Sequence, residues 1–127
     1  MYRLELECNP DATFKVKSKD HEITVTTSDK GMSPPDVFLS GLVSCLGVYV
    51  RRYFAGSGLK LDDFGITAEA EFCREKPVSF KRIDISLDLK GAKLDERRQK
   101  ALLEFIKNCP VHNTLKANPS VEIEIIK

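Results

Sequence analysis

The sequence predicts an α+β fold in the order βββ-α-ββ-α-α-β, built on antiparallel sheets. Three observations carry that reading. Residues 2–27 hold three short segments of period-two alternation joined by turns. Residues 33–54 hold one long apolar run that opens on helix-capping signals. Two further alternating segments follow, and after them a stretch with helical periodicity.

In YRLELEC, Tyr2, Leu4, Leu6 and Cys8 share one face, and Arg3, Glu5 and Glu7 the other. That pattern predicts a strand with one buried face, closed by the turn Asn9-Pro10-Asp11. Residues 12–18 alternate again, with Phe14 and Val16 against Lys15 and Lys17, and Glu22–Thr27 follows a polar turn. Short links between three strands imply an antiparallel meander.

Ser33 fits a helix N-cap, Pro34 the first helical position, and Asp36 the third position of a capping box. The helix should run to about Phe54 and stop at Gly56-Ser57-Gly58. Its apolar residues cover most of the circumference, so it should be buried on all sides, against a sheet and against a second helix or a partner chain. Gly41, Ser44, Cys45 and Val48 form a stripe of mostly small side chains.

Phe64, Ile66, Ala68, Ala70 and Phe72 mark the inward face of a fourth strand, with Cys73 in phase with the polar Thr67, Glu69 and Glu71. Ile83, Ile85, Leu87 and Leu89 mark the inward face of a fifth. A helix over about 94–107 presents Leu94, the Arg98 stem, Ala101, Leu102, Phe105 and Ile106 to the core. A short helix to about Lys116 and a last strand with Val121, Ile123 and Ile125 complete the chain.

The 127 residues read as a single domain, 1–127. With 20 basic and 19 acidic residues spread along it, the chain has no field to draw nucleic acid or acidic lipid. The start lacks a secretory signal, and the apolar run at 37–50 is shorter than a membrane span, so the expected location is cytoplasmic with no membrane partner.

Four cysteines in that setting read as free or redox-active thiols. Cys8, in phase with Leu4 and Leu6, reads as a small core hydrophobe, and Cys73 as an accessible but unactivated thiol. Cys45 lies three turns into the apolar helix, beyond the reach of the helix dipole, and by position alone reads as packing. Cys109 precedes Pro110 at the cap of the short helix, where free backbone N–H groups favour a thiolate, and His112 lies one turn on. Cys109 and His112 could supply two metal ligands, but no further pair completes a tetrahedral set, so neither metal nor cofactor is expected.

The run SPPDVFLSGLVSCLG, followed after a long gap by NCPVHNTL, resembles the OsmC/Ohr family of thiol-dependent hydroperoxide reductases, with the two cysteines 64 residues apart. The element order resembles that family too, in a divergent, OsmC-like form. The resemblance implies an intertwined homodimer with the long helices at its centre and sites at the subunit interface. It implies Cys45 as the peroxidatic and Cys109 as the resolving cysteine. A Cys45 sulfenic acid would form on reaction with an organic hydroperoxide or hydrogen peroxide, close to a Cys45–Cys109 disulfide, and be restored by a dithiol reductant.

The family's activating arginine and glutamate do not carry over cleanly. Pro35 stands where the glutamate would fall, with Asp36 beside it. Arg3, on the outward strand face, is the only arginine in residues 1–33. Asp36, Arg52 and His112 are the candidate supporting groups. Two other readings remain: a non-catalytic dimer that binds a small ligand, and a redox sensor of the same fold.

Overall fold

The computed structural model describes residues 1–61 and 63–126. They form five strands and three helices: β1 (Glu5–Cys8), β2 (Phe14–Ser18), β3 (His21–Val25), α1 (Pro34–Ser57), β4 (Gly65–Cys73), β5 (Ser79–Asp88), α2 (Glu96–Ile106) and α3 (Pro110–Ala117). The chain divides into two compact units, Met1–Gly41 and Leu42–Lys127, with α1 running across the division.

In the first unit, β1-β2-β3 is an antiparallel meander. The register sets Leu6 against Val16 and Val16 against Ile23, so apolar side chains share a face as the alternation predicts. The expected burial of that face is only partial: Val25 is buried, and Phe14 and Val16 are half-buried. Leu6 and Ile23 are exposed, and so is Cys8, which is therefore not a core residue. Alternation decides which residues lie together; it does not supply the layer that covers them.

The start of α1 is the capping box that the sequence announces. The Asp36 carboxylate accepts from Ser33 N–H and from Ser33 Oγ, both at 2.9 Å, and Asp36 N–H donates to Ser33 Oγ at 3.3 Å. Val37 N–H then donates to Ser33 O, the first helical bond. The helix overruns the expected end at Phe54 by three residues, to Ser57, and Gly58 follows with φ +72°, a value glycine adopts without strain.

The second unit packs α1, α2 and α3 with the β4-β5 hairpin around one core. Leu42, Leu46, Val50 and Phe54 lie four residues apart on α1 and meet Leu102, Ile106 and Cys109. Ile66, Ile83, Ile85 and Leu87 of the hairpin and Leu94 pack against this cluster. Only one face of α1 is buried, not all sides: Phe38 and Val48 stand exposed, as do Gly41 and Ser44. One chain offers cover to one stripe of a helix that is apolar around most of its girth. At 24 residues α1 is also long and apolar enough to cross a membrane, where the sequence reading judged the apolar run too short; its Leu42, Leu46, Val50 and Phe54 are core residues here.

Two further differences are local. Opposite Glu71 and Phe72, a bulge leaves Lys81 of β5 unpaired. Phe72 turns out to solvent and Cys73 becomes half-buried, the reverse of the expected phase. Toward the C-terminus, α3 ends at Asn118 in the left-handed region, and residues 119–126 form no strand. Val121, Ile123 and Ile125 are exposed, because no sheet edge among the described residues accepts their backbone groups. Within α2, Leu102 and Ile106 are buried as expected, while Arg98 and Ala101 face solvent.

Candidate functional site

Cys109 sits where two local rules meet. Pro110 supplies the fixed φ that suits a first helical residue, which makes Cys109 the N-cap of α3. Its Sγ takes the place of a capping oxygen and accepts the His112 N–H at 3.4 Å. Its own N–H donates to Ile106 O at 3.1 Å, closing the α2–α3 corner, and its carbonyl accepts from Asn113 N–H. The residue is completely buried.

Cys45 reaches the same place from α1. It is half-buried, packs against the core cluster that contains Cys109, and is the side chain whose hydrogen bonding and charge act on the Cys109 thiol. The two cysteines come together within one unit of one chain.

Electrostatics at this pair run against the expectation for Cys109. Burial pushes its thiol pKa up, and the neighbouring Cys45 sulfur pushes it further. The backbone N–H groups of His112 and Val111 pull it down but do not prevail. Desolvation therefore outweighs the helix end, and Cys109 is held as a protonated thiol rather than a thiolate.

The other candidates divide. His112 belongs to the pair through its backbone, while its imidazole Nδ1 is buried with no hydrogen-bond partner. Asp36 is occupied: its bonds to Ser33 hold its carboxyl below the usual carboxylate range, and it serves as a cap. Arg52 lies with its guanidinium carbon 4.9 Å from the centre of the Tyr49 ring, a cation–π contact at the surface. Tyr49 and Tyr53 in turn pack on Phe105, each with ring centres 5.9 Å apart, so an aromatic layer joins α1 to α2.

The sequence reading missed one surface feature. Gly47, Val48, Arg51, Arg52, Ala55 and Phe64 line an open groove of about 370 Å³. Helical spacing of residues 47, 51 and 55 is the signal that could have found it. Among the described residues, no group of three His, Cys, Asp or Glu side chains is placed to hold a metal ion.

The fold and the cysteine pair define a class. The family model for OsmC-like protein matches residues 27–124, and the chain belongs to that family. Solved structures agree on the fold. An OsmC-like protein from Mycoplasma pneumoniae superposes with a TM-score of 0.79 at 20% identity, covering 91% of this chain and 87% of that one. A hypothetical protein from Aquifex aeolicus VF5 gives 0.72 at 25% identity, covering 92% and 88%. An organic hydroperoxide resistance protein from Legionella pneumophila gives 0.65 at 17% identity, covering 93% and 92%. No curated protein matches the chain.

Proposed function

We propose that this protein is a dithiol peroxidase that reduces organic hydroperoxides or hydrogen peroxide through Cys45 and Cys109. The observation that carries the reading is the fully buried Cys109 packed with the half-buried Cys45 in one core cluster. A pair of thiols in one core cluster, one more open than the other, divides naturally into an attacker and a resolver. Family membership and structural neighbours named as hydroperoxide resistance proteins support it.

The chemistry needs no metal or flavin. The Cys45 thiolate attacks one oxygen of the peroxide, the O–O bond breaks, and the alcohol or water leaves with a proton. Cys45 becomes a sulfenic acid. The Cys109 sulfur then attacks the Cys45 sulfur, the S–O bond breaks, and water leaves as the disulfide forms. A dithiol reductant opens that disulfide by exchange and departs as its own disulfide, returning both thiols.

The same reading places the enzyme in the cytoplasm as a homodimer, in which a second copy covers the bare α1 stripe and brings charge to Cys45. Asp36 and Arg52 are both engaged elsewhere, which favours one alternative, a sensor that forms the disulfide without sustained turnover.

The test is a thiol count. Reduced protein given a slight excess of cumene hydroperoxide should lose two thiols per chain, and Cys109→Ser should retain a trappable sulfenic acid on Cys45. Thiols unchanged after prolonged exposure would overturn the reading. Multiple turnovers with excess dithiol separate the enzyme from the sensor.

A further inference from the structure

Cys109 and His112 stand at the N-cap and third positions of α3, the spacing of a capping box. In such a box the N-cap side chain accepts the N–H of the third residue, and the third side chain reaches back to the N-cap N–H. The first half is present here, with Cys109 Sγ as acceptor. The second half cannot form, because the Cys109 N–H already donates to Ile106 O at 3.1 Å. The imidazole thus has the position of a capping group without a backbone donor to take. Its Nδ1 is buried and unpartnered, an unfavourable state for a polar group.

The thiol next to that corner is Cys109, whose side-chain hydrogen bond in the reduced pair is with Cys45. The His112 backbone nitrogen is 3.4 Å from Sγ. Four bonds separate that nitrogen from Nδ1, which keeps the two within about 5 Å, and so keeps Nδ1 within about 8 Å of the sulfur. Nδ1 makes no hydrogen bond to the sulfur in the reduced pair, so the transfer requires the His112 side chain to rotate toward it.

We infer that His112 is the proton acceptor for Cys109 in disulfide closure. The inference rests on the peroxidase reading and assigns a residue to its second step. As Cys109 attacks the Cys45 sulfenic acid, the S–H proton passes to Nδ1, the S–S bond forms, and the S–O bond breaks. The departing hydroxide takes the proton back from the imidazolium and leaves as water. His112 ends neutral, and no external oxidant or base is consumed beyond the peroxide that made the sulfenic acid.

The experiment separates the two steps. Full-length reduced protein is mixed with one equivalent of cumene hydroperoxide, quenched at intervals with dimedone, and read by mass for sulfenic acid and disulfide. His112→Gln keeps the size and removes the proton acceptor; His112→Glu restores an acceptor in the same shape. Thermal melts show that each variant is folded. Sulfenic acid should form within about twofold of the original rate in both variants, since His112 takes no part in the attack. Closure should slow by about 100-fold in His112→Gln, the low end for general base catalysis, and recover at least about tenfold in His112→Glu.

Closure at the original rate in folded His112→Gln would overturn the assignment. So would equal slowing of both steps, which marks a structural role. An original protein that forms neither sulfenic acid nor disulfide would remove the peroxidase reading and this inference together, and is distinguishable from both.

Discussion

At the scale of single residues, the fate of Cys109 shows how burial overrides a local electrostatic rule. The N–H groups at a helix start stabilise a thiolate only where the charge keeps enough solvation. Cys109 has none of its surface exposed, and its nearest titrating neighbour is another thiol. A consequence appears in alkali. Folding raises this pKa above the ordinary value of 9.0, so the folded state holds the proton more tightly than the unfolded chain. The stabilisation is present in full below that value and is lost as pH climbs from there through the folded-state pKa. Urea unfolding of the reduced protein should therefore lose stability more steeply above about pH 9 than Cys109→Ala does. Parallel slopes for the two proteins would show that the thiol is not perturbed.

Among the elements, α1 depends on its cap. Ser33 contributes an oxygen that accepts from Asp36 N–H and a hydroxyl that donates to the Asp36 carboxylate. Ser33→Ala removes both and should lower stability by about 1 kcal/mol in chemical denaturation, with no effect on the thiol count. A change below a few tenths of a kcal/mol would mean that the first turn is held by other contacts. This cap was legible in the sequence because it is written within four residues. The meander, the hairpin and the two later helices were legible for the same kind of reason, being short-range patterns of period two or 3.6. What the sequence could not show depends on distant residues. At the end of β4, Phe72 is exposed and Cys73 half-buried, against the alternation of the residues before them. The Cys45–Cys109 pair became credible through a family resemblance rather than a local rule, since two thiols 64 positions apart are brought together only by the fold. The orphaned Nδ1 of His112 follows from a bond made by its neighbour's backbone, which no pattern encodes.

On the scale of the whole molecule, the proposed homodimer would cover apolar side chains that one copy leaves exposed. Leu4, Leu6 and Ile23 on the first sheet, Phe38 and Val48 on α1, and Val121, Ile123 and Ile125 near the C-terminus are all exposed. Residues 121–125 retain strict alternation, the pattern of a strand, yet pair with no strand among the described residues. Each side chain of this size contributes about 1.5–3 kcal/mol when buried, against an association cost of about 4–15 kcal/mol, so several must be covered together. An edge supplied by a second chain would satisfy the backbone of that segment and cover its side chains at once. Sedimentation equilibrium at micromolar concentration should therefore give twice the chain mass. Ile123→Lys places a charge on the alternating face and should shift the equilibrium toward single chains, while Glu122→Lys, on the opposite face, should not. A protein that sediments as one chain throughout this range would leave these surfaces without the cover proposed for them. It would also require Cys45 to react without any group from a partner.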